Sequence, residues 1–378
     1  MTKYLINTFL TRYNITRKMS LVNYITLLIL IISSVIISSL SIGCDITPPL
    51  PSAPADTTSK INDTLYIPQN PVWTGFSEPS DIIIGAEPFI YIAEKGANRI
   101  AMLDIAGRLI GYSDYIARPT AISQDGMFDL LVCGELDTVI NSKSVTIGAI
   151  YRISIRETLH DISRAPVRLV YSQPDRPERR FTGIAALDDN SYVVARTGPN
   201  NSSRLDPDEA LIIISKTDTY QGRIASLTPE GNALNSIGGL SGVALARPRP
   251  SRDLIITQTG TAMQYRAQWL AYSTGDITGW AQKFNPAEVR NDFLTSGRFK
   301  RPEGACCDTR GNIFIVDAGT DSLYSFTATG KEQFSFGGSG NGTRQFNSPS
   351  AVAWFDRTLY VADTKNNRIM RYRLSTEQ

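Results

Sequence analysis

The sequence is poor in the residues that build catalytic and metal sites. Its 378 residues include a single histidine, His160, so a zinc site with several histidine ligands is excluded. We expect this histidine, in the polar segment RETLHDIS, to be a solvated loop residue. A Ser/His/Asp set has no support either, because no GxSxG motif occurs. The run Gly337 to Gly340 lacks the lysine and the strand-to-helix context of a phosphate-binding loop.

Cysteine is also scarce, with four residues and no CxxC pair, so a metal site built from cysteines is unsupported. One of the four, Cys44, follows an apolar N-terminal segment. We expect the other three, Cys133, Cys306 and Cys307, to be buried thiols. A disulfide between the two adjacent cysteines is the alternative.

No run of lysine and arginine marks the sequence as a binder of nucleic acid. The formal net charge is +2, from 38 basic and 36 acidic residues. Four of the basic residues lie in residues 1–43, which contain no acid, so the remainder has 34 basic and 36 acidic residues. Such a body has no overall attraction for a polyanion, and no nucleic-acid partner is predicted.

The N-terminal segment has the features of a targeting sequence. Residues 19–44 carry no charge, and Ile25 to Ile42 is almost wholly apolar or small, directly after two basic residues. The segment resembles a bacterial lipoprotein signal, with Gly43 before the cleavage point and Cys44 as the lipidated first residue. Ser41 stands where that family usually has an aliphatic residue. About 20 apolar residues can also span a bilayer, so a single transmembrane anchor is the alternative.

Three regions follow from this pattern. Residues 1–43 are predicted to be the signal or anchor, residues 44–60 a tether and residues 61–378 a β-domain. The tether is rich in Pro, Ser and Thr, a composition typical of extended spacers. We therefore expect an exported protein that is lipid-anchored at the cell envelope, on its periplasmic side or its surface.

The β-domain is organised by a strand-rich unit that recurs every 40–50 residues. In three units a proline precedes an acidic residue by 14 or 15 positions: Pro349 and Asp363, Pro302 and Asp317, Pro79 and Glu94. A unit of this size cannot bury both faces of its own sheet, so it must stack against copies of itself. We count six units, three of them clear and three looser.

The last unit carries the most specific motifs, which are PSAVA at 349–353, LYVADT at 359–364 and NNRI at 366–369. They resemble the NHL-repeat family of β-propellers, although Ser350 stands where glycine is usual. The resemblance implies an all-β, six-bladed propeller with four-stranded antiparallel blades around a central channel. The last unit supplies only three strands. We predict that Thr64 to Ile67 supplies the fourth and closes the ring.

Several families of enzymes share the six-bladed propeller that this resemblance implies. The amidating and streptogramin lyases use histidines at the channel mouth, and a single histidine excludes their chemistry. Lactonase-like propellers hold a divalent cation with carboxylates, and here Glu94, Asp317 and Asp363 end the middle strands of their units. We expect these acids to stabilise turns, with a channel cation site as the alternative. No catalytic residue and no other cofactor are predicted.

Two enlarged turns, 135–147 and 196–209, are predicted to lie side by side on one face of the disc. Long loops on a rigid scaffold are where binding residues concentrate, although neutral loop growth is the alternative. The charged residues proposed as a binding rim are Glu135, Arg196, Arg204, Asp206, Asp208 and Glu209.

These features favour a monomeric binding or scaffolding module, more than an enzyme, for a protein, peptide or glycan partner at the cell envelope. The alternative is a hydrolase of the lactonase-like type that depends on a divalent cation and has its site at the channel mouth.

Overall fold

The structure, a computed structural model, describes residues 66–246, 251–275, 278–285 and 291–375. The predicted signal segment 1–43 and tether 44–60 lie outside this range. The described residues form β-sheets, turns and four short 3-10 helices: Lys95–Ala97, Ile155–Thr158, Ala233–Asn235 and Thr364–Asn366. Among them, no helix has the length and apolar character needed to cross a membrane.

The strands form six antiparallel sheets, one for each predicted unit. Blade one contains β3 (Pro79–Ile84), β4 (Ile90–Glu94), β5 (Arg99–Leu103) and β6 (Leu109–Tyr112). Blade two contains β7 (Ala117–Gln124), β8 (Leu130–Ile140), β9 (Lys143–Ile153) and β10 (Val167–Ser172). Blade three contains β11 (Arg180–Ala186), β12 (Tyr192–Thr197), β13 (Ala210–Ile214) and β14 (Tyr220–Arg223).

The remaining blades follow the same plan. Blade four contains β15 (Leu240–Leu245), β16 (Leu254–Gln258), β17 (Ala267–Thr274) and β18 (Thr278–Gln282). Blade five contains β19 (Pro302–Cys307), β20 (Ile313–Asp317), β21 (Ser322–Phe326) and β22 (Glu332–Gly337). Blade six contains β23 (Pro349–Phe355), β24 (Thr358–Asp363) and β25 (Arg368–Leu374), joined by β1 (Tyr66–Pro68) and β2 (Trp73–Thr74).

The first strand of each blade is its inner strand, and each inner strand contacts the inner strand of the next blade. The series closes because β23 contacts β3. The second strands β4, β16, β20 and β24 are buried along their whole length. They read as near-continuous apolar runs because neighbouring blades cover both of their faces. The six-bladed propeller predicted from the repeats is therefore confirmed.

The ring is closed by the N-terminal part of the described chain, as predicted, although Thr64 and Leu65 of the predicted strand lie outside the described residues. β1 pairs with β25, with Tyr66 opposite Leu374 and Ile67 opposite Arg373. A second short strand, β2, pairs with the other end of β25, with Trp73 opposite Ile369. Two segments of the chain thus cover the edge of blade six, where one was expected.

The segment 135–147 is not a loop. β8 and β9 continue beyond the disc as a paired hairpin that ends at Ile140 opposite Lys143. Its two-residue turn, Asn141 and Ser142, has positive φ at both positions, which is the turn that matches strand twist. The prediction of an enlarged turn was wrong because this polar stretch satisfies its backbone groups by strand pairing.

Candidate functional site

The inner strands line a central channel of about 900 Å³. We call the end at which these strands begin the upper mouth, where Lys95, Thr259 and Arg301 lie. Both mouths and the wall are parts of one cavity, and all six blades contribute to it. A cavity of this volume is in the range of small-molecule sites.

A ring of hydroxyl groups ties the blades together around this channel. In five blades a serine or threonine near the start of the inner strand donates to a carbonyl oxygen of the next blade. The bonds run from Ser80 to Pro119 (2.7 Å), Thr120 to Phe181 (3.0 Å), Thr182 to Leu240 (2.7 Å), Ser241 to Pro302 (2.6 Å) and Ser350 to Pro79 (3.2 Å). Each hydroxyl hydrogen is engaged in this way, so these side chains offer only acceptor lone pairs to the channel.

Blade five lacks this hydroxyl bond, because Glu303 occupies the position that a serine or threonine has in the other blades. Its carboxylate lies 3.2 Å from the Arg301 guanidinium, and its side chain is 30% exposed. Within the part of the chain that the structure describes, this carboxylate accepts no hydrogen bond. Burial raises the pKa of Glu303, Asp317 adds to the rise, and Arg301 and Lys95 oppose it. Glu303 is thus a poorly solvated carboxylate with one exposed partner.

A second carboxylate, Asp81, lines the channel one residue further along the inner strand of blade one. One of its oxygens accepts the N–H of Ile82 (2.8 Å) and the other the N–H of Ile122 in blade two (2.6 Å). Burial raises the pKa of Asp81 to about 6, although both hydrogen bonds act in the opposite direction. A carboxyl group that titrates close to neutral pH is suited to proton transfer.

The three acids proposed as channel ligands for a cation do not line the channel. Glu94, Asp317 and Asp363 are buried at the ends of the second strands. Asp317 accepts three backbone N–H groups and Asp363 accepts one backbone and two side-chain donors. Glu94 accepts the N–H of Ser77 and a bond from Arg99. Their oxygens stabilise the turns at the upper mouth, which is the structural role that turn acids commonly have.

The donor set that a lactonase-like cation site requires is therefore not assembled here. No group of three or more His, Cys, Asp or Glu residues that could hold a metal occurs among the described residues. Three carboxylates of the described chain do line the channel: Asp81 of blade one, Asp125 of blade two and Glu303 of blade five. Asp125 is already paired with Arg152 at 2.5 Å. The residues present do not fit the divalent cation that the alternative function would require.

The loop 196–209 is held by two buried arginines. Arg179 is 2% exposed and donates to Asp208 (2.7 Å) and Asp206 (2.8 Å). Arg196 is fully buried and donates to Asp206 (2.7 Å) and to the carbonyl of Pro207. Three of the charges that suggested a binding surface, Arg196, Asp206 and Asp208, are thus neutralised within one ion-pair network that also includes Arg179.

The other residues of the proposed rim have similar roles, apart from Arg204. Glu209 accepts from the Thr197 hydroxyl (2.5 Å) and from the N–H of Leu240 (3.3 Å). Glu135 pairs with Arg118 and with Arg180, the latter at 3.3 Å. The Arg204 side chain is 88% exposed and lies 3.6 Å from Glu230.

The two segments do lie side by side, as predicted. Arg180 pairs with Glu135 and donates to the carbonyl of Thr146, both on the β8–β9 hairpin. Its neighbour Arg179 binds the aspartates of the loop 196–209. Two adjacent arginines thus hold the hairpin and the loop against the start of β11.

His160 is not the freely solvated residue that was expected. Its ring packs against Phe128 at 5.6 Å and Phe89 at 6.4 Å between centroids. Its Nδ1 lies 3.4 Å from a carboxylate oxygen of Glu87, which also accepts from Tyr91 at 2.6 Å. The histidine therefore stabilises the contact between blades one and two.

The cysteines partly follow expectation. Cys133 and Cys307 are buried, and none of the three described cysteines is in a disulfide. Cys306, however, is only half-buried and belongs to the channel wall.

The channel carboxylates were missed although the sequence contains a signal for them. When the six inner strands are aligned, the first position reads Ser80, Thr120, Thr182, Ser241, Glu303 and Ser350. The second position reads Asp81, Ala121, Gly183, Gly242, Gly304 and Ala351. Each column has one acidic exception, and the two exceptions are Asp81 and Glu303, which both line the channel. These two columns could not be read from the sequence alone, because the inner strands of the looser units two to four could be aligned only with the structure.

Comparison with known proteins extends only to the fold. No protein-family model matches the sequence, and no curated protein matches it either. Membership of the NHL family therefore stays a prediction. Several solved structures have a similar fold, at sequence identities that support no closer relation.

Three of these structures illustrate the range. A gluconolactonase from Xanthomonas campestris has a TM-score of 0.51 and 12% identity, with 85% of this chain and 93% of that chain covered. A PQQ-bound aldose sugar dehydrogenase from Streptomyces coelicolor has a TM-score of 0.54 and 12% identity, with coverages of 82% and 98%. An auxiliary nutrient binding protein from Bacteroides thetaiotaomicron has a TM-score of 0.55 and 11% identity, with coverages of 80% and 70%.

Proposed function

We propose that this chain takes up a small polar organic molecule in its central channel. The observation that carries the proposal is the channel of about 900 Å³, into which Asp81 and Glu303 bring two poorly solvated carboxylates. Deep cavities with a few polar groups on a largely apolar wall are the usual form of small-molecule sites. The site is thus assigned to the channel, and the rim is the second choice.

The rim predicted from the sequence has less support. Of its six charged residues, only Arg204 and Asp206 have substantially exposed side chains, at 88% and 45%. Two apolar tips, Val139 and Leu205, are exposed at 69% and 90% on the same pair of segments. Single exposed apolar side chains are normal on protein surfaces, so these two add little support for binding at the rim. Binding of a protein, peptide or glycan at this rim stays a prediction.

The channel assignment can be tested by filling the cavity. Ala244 is a half-buried residue of the channel wall, and Ala106 is an exposed residue outside it. We expect Ala244→Trp to weaken binding of small molecules at least tenfold, and Ala106→Trp to leave it unchanged. Saturation-transfer NMR with a mixture of aldoses, lactones, alkylamines and carboxylic acids measures this. Equal binding by both variants would place the site elsewhere.

A second candidate is hydrolysis of a lactone in the same channel. The named activity of the Xanthomonas structure and the pKa of about 6 at Asp81 both favour it. Asp81 would accept a proton from water while the water oxygen attacks the lactone carbonyl carbon. The ring C–O bond then breaks, and the leaving oxygen takes up a proton. This scheme uses the residues present and requires none of the cation ligands predicted from the sequence.

Release of acid from glucono-1,5-lactone, followed in a pH-stat, tests the hydrolytic candidate. The expected result is a rate above the spontaneous one that Asp81→Asn lowers at least a hundredfold, because general-base catalysis is worth 10²–10⁴-fold. If the wild-type chain does not exceed the spontaneous rate for this lactone, the hydrolytic candidate is rejected for it and binding alone is retained.

We also propose that the propeller is exported and anchored through Cys44. The support is the segment 1–43 in the sequence, with its basic start and apolar run. Metabolic labelling with a radioactive fatty acid tests this directly. The wild-type chain should be labelled, and Cys44→Ala should not. A labelled Cys44→Ala chain would contradict lipidation at this residue.

A further inference from the structure

We infer that the ligand of the channel carries a positively charged ammonium or guanidinium group, and that Glu303 binds it. The inference rests on the channel being the ligand site. It adds the chemical class of the ligand and the residue that selects it.

The first argument is the balance of donors and acceptors in the wall. The five ring hydroxyls donate to carbonyl oxygens of neighbouring blades, so toward the channel they can only accept. Asp81 and Glu303 are acceptors when ionised. The amide of Gln124 is already engaged, since it donates to Glu87 and to the carbonyl of Phe128. Apart from Lys95 and Arg301 at the upper mouth, these side chains favour a ligand rich in donors.

The second argument separates Glu303 from the other acids around the channel. Glu94, Asp317 and Asp363 each accept two or three hydrogen bonds, and Asp81 accepts two from backbone N–H groups. Glu303 has only its ion pair with Arg301, whose side chain is 47% exposed. A carboxylate removed from water and weakly paired gains most from a new charged donor.

The third argument comes from the repeat itself. In the other five blades a hydroxyl group at this position donates a hydrogen bond to the next blade. Blade five lacks that hydrogen bond. Glu303 reaches no carbonyl of blade six within the described residues, so its side chain does not replace the structural bond. The departure from the pattern therefore supplies a charge to the channel and no hydrogen bond to the next blade.

The positive groups at the upper mouth do not cancel this charge. Arg301 also donates to the carbonyl of Ala318 and to the Ser348 hydroxyl, both at 3.3 Å, which holds it at the rim of the mouth. Lys95 is exposed, so solvent screens its charge. The channel wall also carries Asp81, whose oxygens accept only backbone N–H groups.

The test uses three molecules of equal shape and different charge: cyclohexylmethylammonium, cyclohexylmethanol and cyclohexanecarboxylate. Isothermal titration calorimetry on the full chain at pH 7.5 measures their affinities. The expected result is that the ammonium compound binds at least tenfold more tightly than the alcohol, and that the carboxylate binds most weakly. Glu303→Gln should remove the tenfold preference.

The matched control is Glu332→Gln. Glu332 also pairs with one arginine, Arg298, and its side chain is 28% exposed, but it lies on the outer strand β22. This variant should keep the preference for the ammonium compound. The circular dichroism spectra of both variants should match that of the wild type, so that a loss of preference reports on the site.

Several outcomes would overturn the inference. They are equal binding of alcohol and ammonium, tightest binding of the carboxylate, no measurable binding of the ammonium compound, or a preference that survives Glu303→Gln. If alcohol or carboxylate binding is lost in Ala244→Trp, the channel stays the ligand site and only the cationic class fails. Binding that is unaffected by Ala244→Trp would overturn the proposed function itself.

Discussion

Two regions of this propeller hold unusual charges, and they treat them in opposite ways. In the loop 196–209, two buried arginines and two aspartates neutralise one another at 2.7–2.8 Å. In the channel, Asp81 has only backbone donors and Glu303 has a single exposed arginine. The charged loop suggested a binding surface in the sequence, and most of its charges are paired in the structure. The channel drew no such attention in the sequence, and it contains a carboxylate, Glu303, with few partners.

The difference teaches that charge density in a sequence is a poor guide to binding capacity. What matters is whether a charged group has met its partners when the chain has folded. A buried ion pair with good geometry is already satisfied and offers little to a ligand. A carboxylate with a raised pKa and few partners can still gain from binding.

The largest expected effect comes from breaking the loop network. Arg179→Ala removes a guanidinium that is 2% exposed. It leaves Asp208, whose side chain is 6% exposed, without its ion-pair partner and with the N–H of Asn200 as its remaining donor. We expect the free energy of unfolding to fall by about 3–5 kcal/mol, because an uncompensated buried charge remains. Urea denaturation measures it. Ligand binding in the channel should be unchanged, and a variant as stable as the wild type would mean that the network contributes nothing to the fold.

The next effect concerns Asp81. Burial raises its pKa from 3.8 to about 6, so the folded state binds the proton more tightly than the unfolded state. Protonated Asp81 therefore contributes to the stability of the folded state. This contribution is complete below about pH 4 and is lost as the pH rises through 6. One pKa unit corresponds to about 1.4 kcal/mol, so the wild type should lose up to about 3 kcal/mol relative to Asp81→Asn between pH 4 and pH 7.

Urea unfolding of both proteins at the two pH values checks this. Asp81→Asn has no titrating group at the position, so every other ionisation is common to the pair. A difference in stability that stays constant with pH would contradict the raised pKa.

A smaller effect is expected from completing the hydroxyl ring. Glu303→Thr removes a poorly solvated carboxylate and supplies the hydroxyl that the other five blades use. We expect thermal unfolding to show a gain of about 1 kcal/mol, the usual contribution of one hydrogen bond, together with loss of the preference for a cationic ligand. Thr182→Val should lose a similar amount at blade three, where the bond is 2.7 Å long. Destabilisation by Glu303→Thr would show that Glu303 has a structural role instead.

The smallest effect is expected at Arg204, the most exposed member of the predicted rim. Its side chain is 88% exposed, and its distance to Glu230 is 3.6 Å. Arg204→Ala should change the free energy of unfolding by less than about 0.5 kcal/mol, because exposed ion pairs contribute little. A larger change in stability would place Arg204 in the loop network. If binding of an envelope protein were lost, the rim prediction would regain support.

Much of the fold could be predicted from local pattern. The offsets between Pro349 and Asp363 and between Pro302 and Asp317 recur in the chain, and they gave the number of blades and the closing strand. The hairpin 135–147 could not be predicted as such, since Asn141 and Ser142 resemble loop residues until the strands on both sides pair. Strand pairing depends on partners that are close in space, and in the looser units the sequence does not show them.

The sequence by itself determined the architecture, because a repeating strand unit must bury its faces against copies of itself. Only the tertiary structure decided which charged groups lack partners and can therefore still bind a ligand. Glu94, Asp317 and Asp363 meet donors from segments up to 17 residues away, and Arg179 meets Asp206 and Asp208 across the base of a loop. Glu303 meets few. Whether a charged group has partners depends on neighbours that only folding assembles, and for this reason the channel could be proposed as a site only from the structure.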